Sequence, residues 1–271
     1  MIWNSSHLQA HILQGPERLA THVSDCSALA WPDPAQQYIA IVGGGPKGFY
    51  ALERLLMLWK ANPPAQKICI HWFNTNAYFA CGQNYRTDLP NYLLINYSIG
   101  NINCWTEGPQ PHIAQAMPLE SWIKHHILNT AEVNSIDFAS RQLVGYYYID
   151  ALLRLLQVRI PNVEIQLIAE QVLDISMMDS FTLYSKDKAL PYSYSSVLMS
   201  TGHCYKNKHQ ELEELAAQHT SFTYIHNAYP IQQLDAIATG LTAFNQNYTV
   251  YLPHVEFTDS DKSLQVEVSC Y

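Results

Sequence analysis

The chain has 271 residues, 48% apolar and 14% charged, with a formal net charge of −8, enough for a substantial core in one large domain or two small ones. That acidic balance leaves no basic footprint for nucleic acid. No apolar run approaches the ~20 residues of a membrane span, and the chain opens without a basic, apolar leader. Six dispersed cysteines (Cys26, Cys69, Cys81, Cys104, Cys204, Cys270) form no CxxC pair. They point to a reducing compartment, so the cytoplasm is the expected location.

Residues 1–37 read as an N-terminal extension. Leu8, Ile12 and Leu19 can line part of a helix face, and Trp31-Pro32-Asp33-Pro34 looks like an extended lead-in. The segment could be a lid, a partner-binding arm or a packed extension.

From Tyr38 to Leu58 the chain reads YIAIVGGGPKGFYALERLLML. An apolar strand, Tyr38 to Val42, runs into a glycine turn. A helix then carries Leu52, Leu55, Leu56 and Trp59 at helical spacing and ends at Asn62-Pro63-Pro64. Each glycine of the G-x-G-x-x-G has its own mechanical task. Gly43 permits the tight turn, Gly45 keeps a side chain away from a pyrophosphate, and Gly48 lets helix and strand pack closely. The free N–H groups at the helix start suit an anion. In its strand–turn–helix setting the motif reads as a dinucleotide site; the rival is a glycine-rich turn that binds nothing.

A second strand is expected over Lys67–Phe73, ending at Asn74. The excursion that follows, about 75–140, is broken by Pro90, Pro109, Pro111 and Pro118 and is expected to fold over a ligand. Within it Leu119–Leu128 has helical spacing, and a further helix is expected from Tyr146 to Val158, stopped by Pro161. Short strands are expected at Val163–Ile168, Gln171–Ile175, Phe181–Ser185 and Ser195–Met199, as a β-meander returning to a buried strand. That strand ends in Ser200-Thr201-Gly202-His203.

The ordered signals resemble the FAD/NAD(P)-binding proteins of the flavoprotein monooxygenase type, in the branch of urate-hydroxylase-like and amino-acid N-hydroxylase-like proteins. Five segments carry the resemblance, over residues 38 to 205: IVGGGPKG (41–48), CGQNYRTDLPNYLLIN (81–96), LESWI (119–123), SRQLVGYY (140–147) and VLMSTGH (197–203). It implies an α/β, Rossmann-like FAD/NAD(P)-binding fold with a central parallel sheet, helices and a β-meander. The implied domains are the extension 1–37, the cofactor-binding domain 38–205, and a C-terminal segment 206–271 that would be a remnant of a second dinucleotide-binding half. It also implies an FAD whose pyrophosphate sits at Gly43, Gly45, Pro46, Lys47 and Gly48. The backbone near Val172 would lie beside the adenine, and Thr201-Gly202 would close over the cofactor. In such proteins NAD(P)H reduces the flavin and the substrate is a small molecule, unspecified here.

Two departures from the family stand out. The second strand usually ends in Asp or Glu, which accepts hydrogen bonds from ribose hydroxyls. Asn74 falls there instead; its amide can still accept one, or the site could tolerate a phosphorylated ribose. Family members also continue past residue 271 with a second glycine turn for NAD(P)H, of which 238–243 and the strand-like 250–258 are only echoes. The expectation is therefore an FAD-dependent oxidoreductase, with a binding module lacking the reductive half as the alternative and a simple NAD(P) reductase as a third reading.

Other candidates are weaker. Among twelve histidines, His125 and His126 would not converge on one ion, and His203, Cys204 and His209 lack the partners of a tetrahedral set, so no metal is expected. His203 could face the flavin or sit in a loop. Lys47 could pair with a phosphate or face solvent, Arg141 could bind phosphate or form a structural ion pair, and Asn96 could bond the flavin or cap a turn. Tyr85 and Tyr146–Tyr148 could serve the site or the core. No G-x-S-x-G elbow or Walker lysine is present, and no catalytic side chain is nominated, since the cofactor would carry the redox chemistry.

Overall fold

The computed structural model describes residues 1–107, 113, 116–127, 132–186, 188–202, 210–218, 251–252 and 255–256. The chain divides into two compact units, Met1–Cys204 and Tyr205–Tyr271. Expectations placed on His203, Cys204, His209 and most of 206–271 lie outside the described residues.

In the first unit, β1 (Ile2–Trp3), α1 (Ala10–Leu13), α2 (Gly15–Ala20) and β2 (Val23–Ser24) precede the glycine turn. Strand β3 (Gln36–Val42) leads through that turn into α3 (Pro46–Ala61) and then β4 (Lys67–Asn74). Helix α4 (Leu119–His126), β5 (Phe138–Ala139) and α5 (Arg141–Leu155) follow. The unit ends with β6 (Val163–Ala169), β7 (Asp174–Met177), β8 (Phe181–Ser185), β9 (Lys188–Ala189) and β10 (Tyr194–Met199). The second unit holds α6 (Gln210–Gln218) and the antiparallel pair β11 (Tyr251–Leu252) and β12 (Val255–Glu256).

The main sheet has the order β2-β6-β4-β3-β10-β8-β7, with β9 on β8. Strands β2, β6, β4, β3 and β10 run parallel; β8 is antiparallel to β7, β9 and β10. This is an α/β, Rossmann-like sheet with an antiparallel meander at one side. Strand β4 shows why the middle of the sheet is nearly all apolar. Ile68, Ile70 and Trp72 enter one core while Cys69 and Phe73 enter the other, as strict alternation between two covered faces requires.

The first core lies between the sheet and the helices. From α3 it receives Phe49, Leu52 and Leu56, and from α5 Leu143, Val144, Tyr147, Leu152 and Leu155. Each such side chain contributes about 1.5–3 kcal/mol of hydrophobic stabilisation when fully buried. Trp3, Leu8, Ile12 and Leu19 belong to the same core, so these four side chains anchor the start of the chain to it. The second core, on the other face, is aromatic: Tyr38, Phe73, Tyr192 and Tyr194 surround the His71 ring.

Several expectations need correction. The strand at Val163–Ala169 is not part of the meander; it pairs in parallel with β4 from Ile68↔Val163 to Asn74↔Ala169. The next strand begins at Asp174 rather than Gln171, because the chain first doubles back, with Glu170 N–H on the Ile168 carbonyl at 2.9 Å. Helix α5 starts five residues before the expected Tyr146. Its N-cap is Ser140, whose hydroxyl accepts the Leu143 N–H at 3.2 Å, the role Ser plays best. Helix α4 stops at His126, and Ile127 then bridges Leu8 in extended form. Strand β10 is not buried along its length: Leu198 and Met199 are 42% and 53% exposed. The α3–α5 core contains residues of β3, β4 and β6 and none of β10.

Among the described residues, no helix is long and apolar enough to cross a membrane.

Candidate functional site

The carboxyl ends of four parallel strands are level. Register rows join Met199 to Val42, Val42 to Phe73, and Asn74 to Ala169. From β3 the chain crosses through α3 to β4 on one side, while β10 arrives on the other. Such a switch point leaves a crevice beyond the strand ends, where ligands of open α/β sheets bind.

The glycine turn lies at this crevice. Gly43 has φ +114, a region closed to most L side chains, and a β-carbon on it would stand 2.3 Å from the Ser200 carbonyl oxygen. Ser200 fastens the turn to β10: its N–H donates to Val42 O at 2.7 Å and its hydroxyl reaches Val42 O and Gly43 O, each at 3.1 Å. A β-carbon on Gly48 would meet Gly43 O at 2.7 Å and the Trp72 ring at 3.0 Å. The Trp72 indole N–H also donates to Gly43 O at 2.8 Å. Gly45 differs from both, because a β-carbon there would meet nothing within 4 Å. It is the N-cap of α3, contributes no side-chain cap, and is followed by Pro46 at the first helical position. Helix geometry leaves the Lys47 and Gly48 N–H groups without an intrahelical acceptor. The Lys47 side chain is exposed.

Sequence reasoning passed over one residue of this turn and one packed against it. Gly44, the middle of three successive glycines, is buried under Asn74: a β-carbon there would lie 2.3 Å from the Asn74 Cγ. Gly82, at φ +58, brings the excursion against the turn, and a β-carbon on it would stand 2.8 Å from the Gly45 Cα. The run of glycines at 43–45 was a visible signal for the first; for the second, Gly82 two residues before the Asn84-Tyr85 pair was visible only as part of a longer motif.

The fold gathers Gly43, Gly45, Pro46, Lys47, Gly48, Asn74, Thr201 and Gly202 at the ends of β3, β4 and β10. Thr201 and Gly202 are exposed just past β10, and Gly202, at φ +76, has nothing within 4 Å of its β-carbon position. Val172 follows the end of β6, half-buried against the aromatic core, in irregular chain before β7.

Arg141, Tyr85, Tyr147 and Tyr148 are engaged in packing contacts. Arg141 donates from its backbone to Leu93 O at 2.8 Å and from Nε to Leu94 O at 3.3 Å, clasping the 81–96 segment to the start of α5. Tyr85 packs on Tyr148, ring centroids 5.9 Å apart, and Tyr148 and Tyr50 share a 2.9 Å hydrogen bond between hydroxyls. Burial pushes the phenols of Tyr147 and Tyr148 well above the usual tyrosine range. Glu53 of α3, a buried carboxylate, accepts from Thr106 N at 3.3 Å and Thr106 Oγ1 at 2.5 Å, which ties the excursion to the helix. Asn96 is exposed. His125 is exposed and His126 buried, their rings edge to face at 4.7 Å. Among the described residues no group of three or more His, Cys, Asp or Glu could hold a metal ion.

A glycine turn into a helix start at a sheet switch point is the form of a dinucleotide-binding domain. The FAD-NAD(P)-binding family model matches residues 40–204, and the chain belongs to that family. No curated protein matches the chain. Similar solved structures include the bacillithiol disulfide reductase Bdr of Staphylococcus aureus, 15% identical over 62% of this chain and 38% of that one, TM-score 0.35. Tmm from a Pelagibacter species is 19% identical over 62% and 36% of the two chains, TM-score 0.39. The polycyclic ketone monooxygenase of Thermothelomyces thermophila is 16% identical over 66% and 26%, TM-score 0.35. The chain thus spans less than two fifths of the length of each.

Proposed function

We propose that the chain binds FAD and acts as an oxidoreductase of the flavoprotein monooxygenase type, hydroxylating a small molecule at the expense of NAD(P)H. The observation that carries the binding step is the contrast between Gly45 and its neighbours. Gly43, Gly44 and Gly48 are glycine because protein atoms fill the β-carbon position, whereas at Gly45 that position is empty within 4 Å. Packing does not demand a glycine there; a ligand that must approach the backbone does.

In this reading the pyrophosphate lies on the Lys47 and Gly48 amides, where the helix dipole favours negative charge, with Gly43, Gly45 and Pro46 shaping the approach. The Val172 backbone runs beside the adenine, and Thr201 and Gly202 close over the cofactor from the end of β10. When bound, the flavin would supply the redox chemistry, and the protein would hold it and exclude water. Lys47, exposed at the second helical position, adds a screened positive charge near the phosphates.

Absorption spectroscopy of the purified protein, with mass spectrometry of the released ligand, tests the binding step. A flavin spectrum and the mass of FAD are expected. Anaerobic NADPH or NADH should then bleach the flavin. Colour without bleaching would support a binding module without turnover, and a protein with no affinity for FAD would end the proposal.

A further inference from the structure

Asn74 closes β4, where Rossmann proteins commonly place a carboxylate that receives ribose hydroxyls. Its carboxamide is turned inward instead. Oδ1 accepts the Gly44 N–H at 3.2 Å. Nδ2 lies 3.0 Å from the Asn76 carbonyl, 3.0 Å from Asn76 Oδ1 and 3.3 Å from the Tyr78 carbonyl. The backbone partners fix this orientation: a peptide N–H can only donate and a peptide carbonyl only accept, so a flipped amide would face like with like.

The contacts continue across the crevice. The Tyr78 carbonyl, one of the acceptors of the Asn74 amide, also receives the Gly82 N–H at 3.1 Å. Gly82 in turn lies against Gly45, its β-carbon position 2.8 Å from the Gly45 Cα. One carboxamide therefore ties the glycine turn, through Gly44, to the 76–82 segment that lies along Gly45.

We propose that Asn74 is a positioning residue: it sets the Gly44 peptide and holds the 76–82 segment beside the pyrophosphate cleft, in place of gripping the ribose. The inference rests on the dinucleotide reading of the glycine turn and assigns a role within it. It also explains the missing acid. Three oxygen acceptors surround Nδ2, so an ionised carboxylate at 74 would face them without a proton to offer, and in this half-buried setting unmet or repelled polar groups still carry a cost.

The two roles predict opposite signs for Asn74→Asp. A ribose partner would gain from the change, because a carboxylate is the stronger acceptor for hydroxyls. A tie that needs donors would lose, and would recover in acid, where the protonated carboxyl again offers one O–H. Surrounding oxygens hold such a carboxyl neutral to higher pH than usual.

The test uses the full chain as wild type, Asn74→Asp and Asn74→Ser, titrated with FAD at pH 8 and pH 5, well below each melting temperature. Ligand-free melting is followed in parallel, always as the difference from wild type at the same pH. Asn74→Asp is expected to bind FAD about tenfold or more weakly at pH 8, a loss of ~1.4 kcal/mol, and to recover most of that loss at pH 5. Asn74→Ser, neutral and with a single hydroxyl, should show a smaller loss that does not change with pH. Equal or tighter FAD binding by Asn74→Asp at pH 8, a loss indifferent to pH, or wild-type affinity in Asn74→Ser would each overturn the proposal. If wild type itself binds no FAD, the dinucleotide reading fails. The melting comparison then still decides whether the tie exists, since acid recovery of Asn74→Asp needs no ligand.

Discussion

The carbonyl oxygen of Tyr85 stands 1.9 Å from the place a β-carbon on Gly145 would take. Helix α5 thus approaches the 81–96 segment so closely that only glycine fits, and Gln142 Nε2 reinforces the contact by donating to Thr87 O at 2.6 Å. Gly145→Ala should improve helix propensity by up to about 1 kcal/mol yet destabilise the protein by roughly 1–3 kcal/mol, because the Tyr85 backbone must be pushed aside. Urea denaturation measures the sum. A variant as stable as wild type would mean the segment yields freely.

Gly45 and Gly48 should separate ligand binding from stability. Gly45→Ala adds a methyl group into open space and replaces a tolerated N-cap by a poorer one, so unfolding stability should stay within about 1 kcal/mol of wild type. Its affinity for FAD should nevertheless fall about tenfold or more, as the methyl intrudes on the phosphate approach. Gly48→Ala meets Gly43 O and Trp72, and should lose about 1–3 kcal/mol of stability. Thermal melts paired with flavin fluorescence titrations check both. Unchanged FAD affinity in Gly45→Ala would show that the ligand lies elsewhere.

Two buried histidines make the fold sensitive to acid. His71 and His126 are 1% and 2% exposed, and burial pushes both imidazoles down to about 4. The unfolded chain takes up a proton near pH 6.5 at each, so between 6.5 and about 4 it binds more protons than the folded one. Stability is therefore full above that window and falls as pH drops through it, by about 1.4 kcal/mol per pH unit for each group. Neither ring nitrogen of His126 has a hydrogen-bond partner among the described residues. His126→Leu should consequently cost little at pH 7.5 and flatten the acid slope. An identical slope in the variant would assign the acid sensitivity to other groups.

Thiol chemistry gives a further check on the core. Burial raises Cys69 and Cys81 to about 12 and lifts Cys104 above the ordinary thiol range. Only a thiolate attacks an alkylating agent. With iodoacetamide at pH 8, peptide mapping should find these three unmodified in the native protein and modified in denaturant. Rapid native labelling of Cys81 would show that the segment beside the glycine turn opens readily.

The legible parts of this chain were those whose causes are local. Strand, glycine turn and helix between residues 36 and 61 declare themselves through residue type and spacing, and Ser140 was a readable cap that a search for apolar periodicity overlooked. What stayed hidden depends on partners distant in sequence. That Val163–Ala169 runs parallel to Lys67–Asn74 cannot be inferred from either segment. Val23–Ser24 joins the sheet only because Leu167 and Ile168 offer an edge. The partners of the Asn74 carboxamide, Gly44, Asn76 and Tyr78, likewise become visible only once the loop is folded.

Trp3, Leu8, Ile12 and Leu19 are each at most 2% exposed, yet they precede the family-matched span of residues 40–204. A recombinant piece trimmed to that span would strip an oily strip of α5 of its cover, and such surfaces invite aggregation. Insoluble product from that piece would reflect where the scissors fell, and anyone cloning this cofactor domain should keep its first residues attached.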